Sequence, residues 1–387
     1  MRYFRQGSPN STRSIRHECN YDRNSGMAKR CKKTSDLWGE LKFDSRLNRS
    51  KFAITVENDQ YVILAGGYGA NSLSVVVLDL INCTAFQLPG LPIEDYHGSC
   101  VGTILNGNLY LISRYGECPV YRLNLTAKEF ESNQRQFLWQ KVDGSNRHYG
   151  ETVISNETNL FLFSDHGNEA YIPQTNSWVP LPYMSNPRWD HASTVCENKV
   201  YVIGGYDDTK FMPTSSVEVY DIMKRNWSPS VPLPVCLYGS SAVVVADRFI
   251  LVTGGENKDE KRVKDCFVFD IERQEWFNTS PVRLTVPRSN HGSVLVNNGR
   301  KLMIVGGVIK RENPNNNIPL NECINVAKMI NWHIVKCPLL LRHLVEKGRA
   351  HIRDSNCRKE EMIIQKTIAT LGLDIFRNVL SFLIVSE

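Results

Sequence analysis

Long apolar runs are missing from this 387-residue sequence, and no stretch approaches the roughly 20 apolar residues of a membrane-spanning helix. The N-terminal segment also lacks the apolar region of a secretory signal. The 11 cysteines include no Cys-x-x-Cys pair and no Cys/His spacing typical of zinc, so we predict neither a metal nor a cofactor. This cysteine usage favours a reducing, cytoplasmic setting, with the nucleus as the alternative.

Acidic excess is missing as well, because the formal net charge is +6. Residues 1–33 hold nine Lys/Arg against two acidic residues, a balance of +7 that leaves the remaining chain at −1. We interpret residues 1–36 as a disordered, solvated basic tail, with an arm that touches nucleic acid or anionic lipid as the alternative. The near-neutral body predicts no specific nucleic-acid binding.

A repeat is what the sequence does contain. A short apolar run that ends in two glycines occurs four times, at Gly66-Gly67, Gly204-Gly205, Gly254-Gly255 and Gly306-Gly307. Two further copies carry Ser113-Arg114 and Ser164-Asp165 at the same place, and the six positions lie 40 to 52 residues apart. Such a period indicates a repeat architecture. A phosphate-binding loop is disfavoured, since no helical pattern follows the first glycine pair.

More shared positions follow each glycine pair. After a loop comes an apolar strand pattern that ends near Asp, and then an aromatic residue. This last position is occupied by Phe86, Trp139, Trp178, Trp227, Trp276 and Trp332. In these features the sequence resembles the kelch repeat family over residues 37–341. The resemblance implies an all-β propeller whose blades each contain four antiparallel strands. In that fold the glycines end the second strand where blades crowd, and the aromatic residues pack between blades.

Six glycine-type repeats predict a six-bladed propeller. Trp38 adds a seventh Trp-like strand, so seven blades, completed by residues 342–370, stay the alternative. Residues 342–387 are predicted to form a linker and an amphipathic helix, because Leu373, Phe376, Leu380 and Leu383 recur at helical spacing. This helix is interpreted as docking on the propeller or on a second subunit.

The same C-terminal segment allows another interpretation. "LGLDIFRNVLSFL" is similar to the opening of an F-box, although it lacks the usual proline. The resemblance implies ubiquitin-ligase subunits as partners and a role in recruiting substrates for ubiquitination. No part of the sequence resembles a BTB domain.

Two sets of loops are predicted to share one face of the propeller. One set precedes each first strand and the other follows each glycine pair, and a rigid scaffold that presents loops is typical of binding sites. In kelch proteins that bind peptides, the arginine after proline in the first set often contacts acidic ligands. Arg188 and Arg288 stand in that place, and their charge reversal is expected to abolish partner capture without lowering stability. The other predicted partner-binding residues are Tyr96, Arg114, His148, Tyr149, Trp189, Tyr206, Asp207 and Tyr238.

Binding without catalysis is the favoured function, with a protein or peptide, acidic in character, held at the loop face. The alternative is an enzyme on the same scaffold, since some kelch-like propellers are copper oxidases, sugar epimerases or specifier proteins. His97, His191 and His291 recur once per repeat, and we interpret them as structural residues that bond a neighbouring blade. No Ser/His/Asp signature is present, so no catalytic residue is predicted.

Overall fold

The computed structural model describes residues 47, 49–69, 73–82, 84–92, 98–114, 119–125, 138–142, 152–277, 280, 282–309 and 321–326. These residues form 25 β-strands and no α-helix. None of the described segments is a helix that could cross a membrane. The predicted basic tail, the predicted C-terminal helix and both proposed domain boundaries lie outside the described residues.

Six antiparallel sheets follow one another along the chain, and each is one blade. Blade 1 contains β1 (Ala53–Glu57), β2 (Tyr61–Ala65), β3 (Val75–Asp79) and β4 (Thr84–Leu88). Blade 2 contains β5 (Cys100–Leu105), β6 (Asn108–Ser113), β7 (Val120–Asn124) and β8 (Gln140–Val142). Blade 3 contains β9 (Thr152–Ser155), β10 (Leu160–Ser164), β11 (Gly167–Ile172) and β12 (Ser177–Leu181). Blade 4 contains β13 (Ala192–Cys196), β14 (Lys199–Ile203), β17 (Val217–Asp221) and β18 (Asn226–Pro229), and β15 (Tyr206–Asp207) with β16 (Met212–Pro213) forms a separate hairpin between β14 and β17. Blade 5 contains β19 (Ser241–Val245), β20 (Phe249–Thr253), β21 (Cys266–Asp270) and β22 (Glu275–Trp276). Blade 6 contains β23 (Gly292–Val296), β24 (Lys301–Val305) and β25 (Glu322–Asn325).

The first strands of the six blades line the central axis and close a ring. Each of β1, β5, β9, β13 and β19 contacts the next first strand, and β23 contacts β1. Hydrogen bonds join blades 6 and 1 where the ring closes. The Gly307 N–H donates to the Arg49 carbonyl at 2.9 Å, and the Asn298 N–H donates to Asp59 Oδ2 at 2.7 Å. The predicted six-bladed, all-β propeller is confirmed.

The core consists of six apolar clusters, and each lies between two neighbouring blades. Successive residues of one strand serve different clusters because side chains alternate across a sheet. In β2, Ile63 packs towards blade 2, whereas Val62 and Leu64 pack towards blade 6. Both faces of the second strand are therefore buried, which is why each repeat carries an uninterrupted apolar run before its glycines.

The glycine pairs form contacts between blades. The first glycine of each pair has a left-handed backbone, with φ between +57° and +67°. A Cβ atom at Gly254 would lie 2.6 Å from the Arg288 carbonyl oxygen, so a side chain does not fit there. The second glycine donates its N–H to the next blade, as Gly205 does to the Leu237 carbonyl at 2.8 Å. The structure thus places these glycines where two blades approach closely.

Three outer-strand tryptophans each join two blades. Trp227 and Trp276 lie directly across the sheet from the aromatic residue of the third strand, Tyr220 and Phe269, with ring centroids 5.2 and 5.0 Å apart. Their indole N–H groups donate to carbonyl oxygens that follow the preceding blade, at 2.9 Å in both cases. Trp139 repeats this bond to the carbonyl of residue 89, whereas Trp332 lies outside the described residues.

Candidate functional site

The two predicted loop sets meet at one end of the propeller. Short antiparallel bridges join two positions in each of the four repeats that carry a glycine pair. One position lies three residues before the first strand of a blade, and the other directly follows the glycine pair of the same blade. The bridges occur at Ser50 with Tyr68, Trp189 with Tyr206, Tyr238 with Glu256, and Ser289 with Val308. This end is called the loop face below.

Three aromatic side chains cluster on the loop face of blades 4 and 5. Trp189 and Tyr206 stack with centroids 4.5 Å apart and planes 28° apart. Tyr238 packs edge-on against both rings, at 6.0 Å from Trp189 and 5.5 Å from Tyr206. All three side chains are half-buried. The structure thus brings three of the predicted binding residues into one group, called the aromatic cluster below.

Polar partners hold the aromatic cluster in place. The Trp189 indole N–H donates to Asp208 Oδ1 at 2.8 Å, and the Tyr238 hydroxyl donates to Glu256 Oε1 at 2.7 Å. Glu256 is buried and forms an ion pair with Arg262 at 3.3 Å. Arg262 in turn donates to Ser289 Oγ at 3.0 Å, which extends the network to blade 6. Such fixed aromatic side chains lose little conformational entropy when a partner binds.

The β15–β16 hairpin extends the aromatic cluster into solvent. Phe211, in the loop between the two strands, is 79% exposed and has φ of +52°, an uncommon backbone conformation for a bulky residue. Met212 beside it is 50% exposed. Asp207 holds the loop, because its carboxylate accepts hydrogen bonds from the N–H and hydroxyl of Thr209 and from the N–H and ammonium of Lys210. Burial alone would raise the pKa of Asp207, but these bonds lower it to about 2.

An ion bridge crosses the axis at the mouth of the central channel. Lys51, next to blade 1, pairs with Asp190, next to the opposite blade 4, at 2.8 Å. Arg114 of blade 2 pairs with the same carboxylate at 3.2 Å. The Lys51 ammonium also lies 5.8 Å from the centroid of the Trp189 ring. The predicted residue Arg114 is therefore at the channel mouth, close to the aromatic cluster.

Arg188 and Arg288 are not on the loop surface, and the structure corrects their predicted role. Both side chains are 0% exposed. Arg188 pairs with Glu218 at 2.6 Å, and Arg288 pairs with Glu322 at 2.8 Å. Each glutamate also accepts N–H groups of the segment that enters the blade, such as that of Thr285 at 2.7 Å. These pairs anchor the incoming chain, so neither guanidinium faces a ligand.

The remaining predicted residues divide into two groups. Asp207 is fully buried and supports the hairpin, whereas Tyr96, His148 and Tyr149 lie outside the described residues. Sequence reasoning missed Phe211 and Met212, although an apolar pair in the polar loop "YDDTKFMP" was a visible signal. The part of the chain that the structure describes contains no group of three His, Cys, Asp or Glu that could hold a metal ion.

The geometry defines the class of this protein, a β-propeller of six antiparallel blades. The family model for the KLHDC2/KLHL20/DRC7 Kelch-repeats domain matches residues 190–338. Kelch-like protein 41a of Danio rerio is 29% identical over 136 residues, 35% of this chain and 22% of the relative. Kelch-like protein 40 of Mus musculus is 30% identical over 169 residues, 40% of this chain and 27% of the relative.

The chain spans about a quarter of the length of these relatives. A solved structure, titled "Structure of YjhT", aligns with a TM-score of 0.55 at 15% identity, over 68% of this chain and 92% of that chain. This likeness shows the fold alone. With the repeat and the blade geometry, these matches support a likeness to the kelch-repeat proteins, and the family model covers residues 190–338 of the chain.

Proposed function

We propose that this propeller is a non-enzymatic binding module that holds a segment of a partner protein on the loop face of blades 4 and 5. The observation that carries the proposal is the exposed Phe211–Met212 pair on a hairpin that Asp207 fixes. An apolar pair held in a strained, solvent-facing turn gains nothing from the fold itself, and such strain is often found at binding sites.

The neighbouring aromatic cluster supports the same surface. Trp189 and Tyr238 are half-buried, rigid and hydrogen-bonded at their polar ends, which are properties of residues that dominate binding energy in protein interfaces. The kelch-like relatives support protein binding as the general function. Because Arg188 and Arg288 are buried, they supply no preference for acidic ligands. We therefore propose a partner segment with an apolar anchor rather than an acidic one.

A crosslinking and affinity experiment tests this proposal. A photoreactive phenylalanine analogue at position 211 is expected to crosslink a partner in a native extract. The identified partner is then titrated against the purified Phe211→Ala/Met212→Ala variant, whose affinity should fall at least tenfold, or about 1.4 kcal/mol. Met223→Ala is the matched control, since Met223 is 75% exposed but lies in the β17–β18 turn at the opposite end of blade 4. Equal affinity of the two variants would refute this surface.

A finer proposal is that the bound protein is presented to a ubiquitin ligase. Its support is the F-box-like segment in residues 371–383, which lies outside the described residues. A chain that ends at Glu361 should keep the loop-face partner and lose any ubiquitin-ligase subunit in co-purification. Retention of ligase subunits by the shortened chain would argue against this segment as the link.

A further inference from the structure

A polar cavity occupies the central channel beneath the ion bridge. Its volume is about 330 Å³, and apart from Arg114, which follows β6, its wall is formed by residues in or next to the first strand of each blade. Nine serine and threonine residues line it, together with Arg114, His191 and His291. No carboxylate is among the described lining residues, so Arg114 brings the one formal charge of the wall. The cavity is therefore rich in hydrogen-bond donors and has positive character.

Several buried polar groups on this wall have no partner among the described residues. His191 is 3% exposed, and neither of its ring nitrogens makes a hydrogen bond. Ser240 Oγ, Thr152 Oγ1 and His291 Nδ1 are buried and unpaired as well. An unsatisfied buried polar group costs about 1–3 kcal/mol, so four such side chains on one wall require an explanation.

Three of the unpaired groups lie at one level of the channel. His191, Ser240 and His291 each immediately precede the first strand of their blade, in blades 4, 5 and 6. Equivalent positions of consecutive blades lie side by side around the axis, so these side chains form an arc. Thr152 begins β9 of the neighbouring blade 3 and lines the same cavity. His291 is oriented by Nε2, which lies 2.9 Å from Thr253 Oγ1. Burial, and then the charges of Arg188 and Arg114, lower the pKa of His191 to about 3, which leaves this ring neutral near pH 7.

We propose that this arc binds a small oxyanion, of the carboxylate or phosphate class, in the central channel. Hydroxyl groups and a neutral imidazole N–H donate to anionic oxygens, and Arg114 provides charge. The ion bridge adds to this preference, because two cations, Lys51 and Arg114, share the single carboxylate of Asp190. A cation would meet no carboxylate on the described wall. The site lies inside the channel, and the ion bridge stands between it and the aromatic cluster of the loop face.

A departure from the repeat positions the charge. Arg114 stands where the intact repeats carry their second glycine, at the end of β6. A glycine there would leave the wall without a formal charge. One of the two repeats that lack the glycine pair thus gives the channel wall its guanidinium.

The test is calorimetric titration of the full chain with inorganic phosphate and, separately, with acetate, at constant ionic strength. We expect one saturable site per chain for at least one of the two anions, and the comparison shows which class is preferred. Arg114→Gln should weaken binding at least tenfold. Ser240→Ala and Thr152→Val, which remove single hydroxyl groups and leave the ion bridge intact, should each weaken it about threefold, the scale of a neutral hydrogen bond.

Two controls make the outcome decisive. Ser228→Ala removes an exposed hydroxyl on the outer strand of blade 4 and should leave the affinity unchanged. The imidazole NMR resonances of His191, assigned by comparison with His191→Gln, should shift on saturation, which places the anion in the channel. The proposal is overturned if neither anion binds with a dissociation constant below about 1 mM. It is also overturned if binding persists unchanged in both hydroxyl variants and leaves His191 unshifted.

Discussion

The buried pair of Arg288 and Glu322 allows a sharp test of the architecture. The Arg288 side chain is 0% exposed, donates to the Gly306 carbonyl at 2.7 Å and pairs with Glu322 at 2.8 Å. Arg288→Met keeps most of the apolar stem but leaves the Glu322 carboxylate buried without its cation. Loss of one partner of a buried pair costs about 3–5 kcal/mol, so the free energy of unfolding should fall by that amount.

The assay is urea unfolding followed by tryptophan fluorescence, with the free energy taken from the midpoint and slope. Arg283→Met is the matched control, since Arg283 pairs with Asp265 at 2.6 Å but the two side chains are 61% and 46% exposed. An exposed pair contributes about 0–1 kcal/mol, so this variant should unfold almost as the wild type does.

The double variant Arg288→Met/Glu322→Gln removes both charges. Its free energy of unfolding should fall by less than the sum of the falls in the single variants Arg288→Met and Glu322→Gln. The reasoning fails if Arg288→Met costs no more than Arg283→Met. Such a result would mean that Arg288 is available for ligands, as the sequence pattern had indicated. The structure instead predicts that charge reversal at this position lowers stability.

The fold could be predicted because its signals are local and repeated. An apolar run buried on both faces, a glycine pair and an aromatic residue recur at one period, and each has a packing reason in the structure. The copy at Ser164-Asp165 looked degenerate because its loop is short. Ser164 pairs directly with Gly167 across a tight turn, so no long loop leaves β10 and no glycine pair is needed.

The roles of the arginines could not be predicted from one loop at a time. Whether a side chain in a loop points to solvent or to the interior depends on its partner, and Glu218 follows Arg188 by 30 residues. Glu322 follows Arg288 by a similar 34 residues, so a paired arginine and glutamate within the repeat was the available signal. The ion bridge between Lys51 and Asp190 gave no such signal, because it joins opposite blades that only ring closure brings together.

Glycine and histidine variants test the remaining packing arguments. Gly299 and Gly306 share a left-handed backbone, with φ of +70° and +62°, but a Cβ would meet nothing within 4 Å at Gly299 and would collide with the Arg49 carbonyl at Gly306. Gly299→Ala should cost about 1–2 kcal/mol and Gly306→Ala at least about 1 kcal/mol more in the same urea assay, whereas equal losses would contradict the close approach. His191 and His291 have pKa values lowered to about 3 by burial first and then by nearby arginines. Below pH 6.5 these two histidines therefore take up protons in the unfolded chain but not in the folded chain. The stability that the two neutral imidazoles contribute is complete above pH 6.5 and is lost as the pH falls towards 3. In a buffer free of phosphate and carboxylate, each histidine should steepen the loss of unfolding free energy by up to about 1.4 kcal/mol per pH unit. His191→Gln should remove one such contribution between about pH 6 and 5, and an unchanged slope would show that this imidazole is not buried in its neutral form.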